Sequence, residues 1–282
     1  MTEDAMKVKA VDAAPPEAAR IALDYLSGKV KKPSGDIFLL AVLAGAYVAF
    51  GAIAYLVAVS GGDGFSGLRQ VAGGLVFSVG LVLVIVAGAE LFTGDTMLVI
   101  NRMRETLDAS TMWRFWGLVY AGNLVGALLI ASLFVGAGGH GQGDGAVGIA
   151  ALETARTKVD KGIVALIASG ILANMLVCLA VWVAQAARTV PGKIVALAGP
   201  ITVFVAAGFE HSVANMSIVP MALAIASFAG PEFWTASGSA PEAFASVTVL
   251  GFAYNLFWVT LGNVVGGASI GLAYWYAYLR GR

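Results

Sequence analysis

Histidine occurs twice in this chain, as His140 and His211. Imidazole is the side chain whose ordinary pKa lies nearest neutrality, so it can lend a proton to a weak-acid anion. His211 stands in Gly208-Phe-Glu-His-Ser-Val-Ala-Asn-Met216, a polar interruption of a long apolar run. A second interruption, Ala87-Gly-Ala-Glu-Leu-Phe-Thr-Gly-Asp-Thr96, carries Glu90, Thr93 and Asp95. Ionisable groups at bilayer depth are costly and are functional by default. Glu90, Glu210 and His211 are read as the three deep ones. The two carboxylates are expected to support helix breaks by accepting from freed backbone N–H groups. Thr93 offers a hydroxyl, and the role of Asp95 stays open. Lys158 lies at the outer edge of the fourth apolar run, as an interfacial cation or as an anion-attracting group. Asn174 and Asn263 are suited to hydrogen bonds between helices. Cys178 reads as an inert apolar residue. His140 falls in a glycine-rich stretch, 136–160, read as an extended exposed loop with no role. With one deep histidine, one cysteine and no His-x-x-x-His, the chain offers neither a nucleophile–base pair nor a metal set. No enzyme, cofactor or metal is expected.

Those groups need elements to hold them, and the composition says which solvent those elements face. The 282 residues are 59% apolar and 12% charged, whereas a soluble domain has about 25% charged residues. Mean hydropathy is +0.85. An ordinary cytosolic enzyme would lack the charge to cover its surface. Disorder and nucleic-acid binding are excluded by zero net charge and the absence of a long basic segment. A single cysteine excludes an intramolecular disulfide framework. Thirty-six glycines without a collagen period fit helices packed closely in a bilayer. The class is an all-α polytopic membrane protein.

Six apolar segments are each near or above the ~20 residues that span a bilayer: roughly 37–60, 70–100, 112–136, 160–187, 193–229 and 244–279. The second and fifth carry the two interruptions. Residues 1–36 differ, with six Lys/Arg and six Asp/Glu. Within them 15–31 reads as an amphipathic helix starting at Pro16, its apolar side formed by Ala19, Ile21, Ala22, Tyr25 and Leu26. No signal-peptide pattern is present. With both termini inside, thirteen Lys/Arg lie inside and four (Arg69, Arg156, Lys158, Lys161) outside, which sets that orientation by the positive-inside rule. The expected organisation is a cytoplasmic N-terminal segment, 1–36, and a six-helix domain, 37–282, in the cell's inner membrane.

The interruptions also match each other. Gly88-x-Glu90 aligns with Gly208-x-Glu210 at an offset of 120, placing Asp95 opposite Asn215, and Asn123-Leu-Val-Gly126 echoes Asn263-Val-Val-Gly266. Halves 37–136 and 160–279 hold three spans each, so they must sit inverted. Inverted repeats with one broken helix apiece are a transporter architecture whose site lies where the breaks meet. A break survives only in protein or beside water, because lipid cannot satisfy its backbone.

Four stretches carry a family resemblance: Ala89-Glu-Leu-Phe-Thr-Gly94, Ala173-Asn-Met-Leu-Val-Cys-Leu-Ala-Val-Trp182, Gly208-Phe-Glu-His-Ser-Val-Ala-Asn-Met216 and Asn255-Leu-Phe-Trp-Val-Thr-Leu-Gly-Asn-Val-Val-Gly-Gly267. The chain resembles the formate/nitrite transporter family, whose members include formate, nitrite and hydrosulfide channels. The resemblance implies an aquaporin-like six-helix subunit, a homopentamer with one pore per subunit, and passage of small monovalent anions with or as their conjugate acids. It assigns Leu81, Leu91 and Phe92 to an inner constriction and Phe77, Val177 and Phe204 to an outer one. Thr93 and His211 form a polar pair between them. Lys158 takes the place of a vestibule lysine, Asn174 that of the span-four asparagine, and Asn263 that of the span-six pore asparagine.

An apolar constriction opposes a bare anion, since desolvation costs several kcal/mol. A proton from His211 would let the neutral acid through. The expected function is therefore a channel for weak-acid anions, formate first, nitrite second and hydrosulfide third, with protons and lipid as its other partners. The alternative is a proton-coupled anion symporter of the same fold.

Overall fold

The computed structural model describes residues 12–62 and 64–280. The first eleven residues of the N-terminal segment and Arg282, both counted in the charge balance, lie outside the described residues. Every regular element among those described is helical.

Helix α1 (Pro15–Lys29) begins with proline at its first turn and buries Ala18, Ala19, Ala22 and Leu26. Proline suits that position because its missing N–H is one that the first turn cannot pair. The first span, α2 (Ser34–Val59), has 26 residues, about 39 Å at ~1.5 Å per residue. The second span starts as α3 (Gly67–Ala87) and breaks at 88–91. It resumes as α4 (Phe92–Asp95), a 3₁₀ turn (Thr96–Leu98) and α5 (Val99–Met103). The third is α6 (Ala109–Gly136), capped by Asp108, which accepts from Thr111 N. The second half opens with α7 (Ala146–Val159) and continues with the fourth span, α8 (Ile163–Ala186). The fifth span is α9 (Val190–Ala206), a break at 207–211 and α10 (Ser212–Phe228). A short α11 (Pro231–Ser237) leads to the sixth span, α12 (Val249–Tyr274), which ends in a π turn, Trp275–Leu279. The expected spans and the two interruptions fall within a few residues of these elements, and the molecule is a polytopic membrane protein of aquaporin-like design.

Two expectations change. The 136–160 stretch is not an extended loop. It holds a 3₁₀ turn (Gly139–Gly141) and the whole of α7, whose Val147, Ala151, Leu152 and Ala155 are buried. Apolar residues on one side of a 14-residue helix are what a glycine count alone conceals. His140 is half-buried, its ring 5.4 Å from that of Phe233. Lys158 accordingly stands on α7 and not on the fourth span. Helix α7 precedes α8 as α1 precedes α2, so each half begins with a helix of 14 or 15 residues, shorter than the ~20 that span a bilayer.

Glycine sets the two features on which this packing rests. Gly88 and Gly208 end α3 and the α9 turn with φ of 81° and 66°, a left-handed conformation that a Cβ disfavours. This turns the chain out of the helix. Gly126 on α6 lies against Val42 O of α2, and Gly266 on α12 lies against Ile171 O of α8. A Cβ at either place would enter a carbonyl of the neighbouring helix, and backbone on both sides leaves nothing that can yield. Gly126→Val or Gly266→Val is therefore expected to cost about 3 kcal/mol or more, seen as a lowered thermal midpoint in detergent. Gly35→Ala, which meets nothing within 4 Å, should leave that midpoint nearly unchanged.

Candidate permeation pathway

Breaking a helix strands N–H and C=O groups, and each break here is repaired by one asparagine from another span. At the first break Asn123 Oδ1 accepts from Phe92 N (2.9 Å), while its Nδ2 donates to Glu90 O (2.9 Å) and Ala41 O (2.8 Å). At the second, Asn263 Oδ1 accepts from Ser212 N (2.8 Å), while its Nδ2 donates to Glu210 O (3.0 Å) and Gly170 O (2.8 Å). The pattern is the same bond for bond. A primary amide suits it because one planar group supplies both the acceptor and two donors. Asn174 braces the region between the breaks, donating to Thr93 O (3.1 Å), Thr96 Oγ1 (3.1 Å) and Asn263 O (2.6 Å).

Glu90 and Glu210 do not accept from the freed N–H groups, as the sequence suggested. Each instead holds two lysines spaced three residues apart. Glu90 pairs with Lys29 (2.8 Å) and Lys32 (2.7 Å), Glu210 with Lys158 (3.1 Å) and Lys161 (2.6 Å). Lysines 29 and 32 come from the end of α1 and its following turn, 158 and 161 from the end of α7 and its following turn. Asn215 Nδ2 also donates to Glu210 Oε2 (2.7 Å) and to Asn255 Oδ1 (2.7 Å). Asp95, whose role the sequence left open, is fully buried and accepts from Lys29 Nζ at 2.5 Å. Sequence reading missed Lys29, Lys32, Lys161 and the buried pairing of Asp95. The signal was present as Lys-x-x-Lys at the end of both preceding helices, but it becomes legible only once α7 is known to be a helix. Burial pulls the Lys158 amine below the ordinary lysine range, with Glu210 opposing it. Burial acts on Lys29 in the same sense but is outweighed by Asp95, Tyr25 and Glu90, so its pKa rises well above the ordinary range.

His211 is the N-cap of α10, and its Nδ1 accepts from Ala214 N at 3.2 Å. A backbone N–H can only donate, so Nδ1 carries no proton and the neutral ring carries it on Nε2. That Nε2–H donates to Thr93 Oγ1 at 2.9 Å. The two breaks thus meet in a single hydrogen bond. Beside it opens a cavity of about 540 Å³ lined by Phe77, Phe204, Lys158, Lys161, Glu210 and His211, among others. The Phe77 and Phe204 rings pack edge to face at 5.7 Å, and Phe204 lies 5.7 Å from His211. Leu81, Leu91, Phe92 and Val177 are buried and do not line this cavity. Phe92 is fixed edge to face by Tyr120 (4.9 Å) and Trp116 (6.1 Å). Asn174 and Asn263 are buried among their hydrogen-bond partners and do not line it either. Cys178 is buried against Thr93 O. Among the described residues no group of three or more His, Cys, Asp or Glu is arranged to hold a metal ion.

Residues 16–276 match the family described as Formate/nitrite transporter. Among curated relatives, the formate channel FocA of Escherichia coli (strain K12) is 40% identical over 269 residues, covering 94% of each chain. The nitrite transporter NirC of the same organism is 35% identical over 237 residues, covering 83% of this chain and 81% of its own. Among solved structures, a pentameric formate channel with formate bound superposes with a TM-score of 0.82 at 35% identity. The match covers 89% of this chain and 99% of that one. These relatives are channels and transporters, not enzymes.

Removing either bracing asparagine leaves one N–H and one carbonyl of the break without their partner, each at about 1–3 kcal/mol. Asn123→Leu and Asn263→Leu are therefore each expected to lower the thermal midpoint and the yield of folded protein, by similar amounts. A variant as stable as the parent would show that the break does not need this bracing.

Proposed function

We propose, since this chain belongs to the formate/nitrite transporter family, that it is a channel for small monovalent weak-acid anions, with formate as the foremost substrate and nitrite second. The observation that carries this reading is the 2.9 Å hydrogen bond between His211 Nε2 and Thr93 Oγ1, which joins the two breaks beside an open cavity. The relatives named for formate support the order of substrates, and the nitrite transporter among them supports nitrite as the second. The chain works as a homopentamer in the cell's inner membrane with both termini cytoplasmic, so α1 faces the cytoplasm and α7 the outside. Residues 1–36 form the cytoplasmic segment and 37–282 the channel domain.

An anion entering from the α7 side meets Lys158 and Lys161 in the cavity, and both draw it inward. Phe77 and Phe204 then strip its water, with Val177 completing that constriction. Leu81, Leu91 and Phe92 form the second one. Crossing either as a bare ion costs several kcal/mol, so the neutral acid is the form that passes. Between the constrictions His211 and Thr93 present a polar pair, and His211 assists with a proton. In the resting geometry its proton sits on Nε2. Charging the ring requires a second proton on Nδ1, which displaces the Ala214 N–H cap. Proton assistance is thereby coupled to the first turn of α10.

Flux through purified protein in liposomes tests this. Formate is expected to move faster than nitrite and nitrite faster than hydrosulfide, with formate flux rising several-fold as the pH is lowered. His211→Asn keeps an N-capping side chain but cannot relay a proton, and its formate flux should be lower and follow a different pH profile from that of the parent. An unchanged pH profile in this variant would remove the proton role from His211 and leave the pore intact.

A further inference from the structure

Helix α6 holds Phe92 with three residues of one face. Asn123 accepts from its backbone N–H (2.9 Å), while Tyr120 and Trp116 pack edge to face against its ring, with centroids 4.9 and 6.1 Å away. Positions 116, 120 and 123 share a stripe because neighbours on a helix surface lie three and four residues apart. Each of the two packing rings is itself tied. Trp116 Nε1 donates to Asp95 O (2.9 Å) on α4, the short helix that Phe92 begins. The Tyr120 hydroxyl shares a hydrogen bond with Thr260 Oγ1 (2.8 Å) on α12. One wall of the Phe92 ring is therefore anchored in the other half of the molecule.

The second half repairs its break without any of these rings. At the offset of 120 that relates the breaks, Ser212 stands for Phe92. At the offset of 140 that relates Asn123 to Asn263, Leu256 stands for Trp116 and Thr260 for Tyr120. Asn263 Oδ1 accepts from Ser212 N (2.8 Å) just as Asn123 Oδ1 accepts from Phe92 N. The aromatic clamp is therefore no requirement of a broken span, and its use lies in the ring it holds.

We propose that Tyr120 is a positioning residue for the inner constriction: anchored by Thr260, its ring holds Phe92 in the orientation that limits the size of solute able to pass. The inference rests on the reading of Phe92 as part of that constriction and names the side chains that fix its width. Phe92 carries no polar side-chain atom, so its ring is oriented by what it packs against, and an edge-to-face contact is directional. Without the hydrogen bond the ring at position 120 is free to turn, and Phe92 loses one of its two walls. Wider arrangements then gain population by about two- to tenfold, the net worth of one hydrogen bond.

The test compares formate with acetate and lactate, carboxylates of rising size, as flux into liposomes that hold the full-length protein, with the flux of protein-free liposomes subtracted. The ratio of each flux to that of formate does not depend on how much folded protein a preparation contains, so lost stability alone leaves it where it was. Tyr120→Phe and Thr260→Val should each raise the acetate and lactate ratios about two- to tenfold. The double variant should raise them no further, because two partners in one bond are not additive. Thr260→Ser keeps the hydroxyl and should keep the parent ratios. Should Tyr120→Phe fail to fold, Thr260→Val carries the same test from α12. Ratios that stay at the parent values in both single variants, or single effects that add in the double, would overturn the inference. Phe92→Ala separates it from the reading beneath it. Ratios raised by Phe92→Ala and by neither single variant overturn the positioning role alone, whereas ratios unmoved by Phe92→Ala overturn the constriction as well.

Discussion

Everything in this molecule hangs on how a membrane protein disposes of unpaired backbone. Two spans are cut near their middles, and hydrocarbon offers no partner to the groups released. Asn123 and Asn263 supply partners from spans three and six, each pairing one N–H and one carbonyl of its break and tying them to a carbonyl of an intact neighbouring helix. Because those amides are fixed, the chain can turn at Gly88 and Gly208 and restart a helix inside the protein. The first residues of the restarted helices, Thr93 and the cap His211, are then brought into contact. The polar pair at the centre is a consequence of the bracing and not an independent feature.

The same economy governs charge. A carboxylate buried near each break would be prohibitive alone, and each is held by two lysines from the end of a short helix and the turn after it. Buried pairs of this kind are weak evidence for stability, because desolvation offsets most of the attraction. They do fix position. Lys29 draws the end of α1 against the first break, and Lys158 draws the end of α7 against the second. Both pre-helices are thereby tied to the region where the proposed route narrows. Asp95 shares Lys29 with Glu90, where the second half has the neutral Asn215.

Much of the fold was legible from residue types. Long apolar runs, two polar interruptions at a common offset and the Asn-x-x-Gly echo define the spans, the breaks and the inversion, because each reflects a local requirement of chain in a bilayer. The 136–160 stretch was not legible. Its glycines dominate the composition, while the one-sided burial of Val147, Ala151 and Leu152 that makes α7 a helix depends on α10 and the neighbouring spans. Lysines 29, 32 and 161 escaped for the same reason: on a sequence they look like interfacial cations, and their partners lie 49 to 66 residues away.

By itself, the sequence determined the solvent this chain folds in, the number of its crossings, the place of both breaks and the identity of the one deep imidazole. These follow from hydropathy and from the cost of polar groups in lipid, which act residue by residue. Tertiary structure alone decided which groups repair the breaks, which lysines answer the buried carboxylates, and which ring nitrogen of His211 bears the proton. Those are matters of distance and direction between distant segments, and a hydrogen bond exists only when donor and acceptor meet within about 3 Å at the right angle.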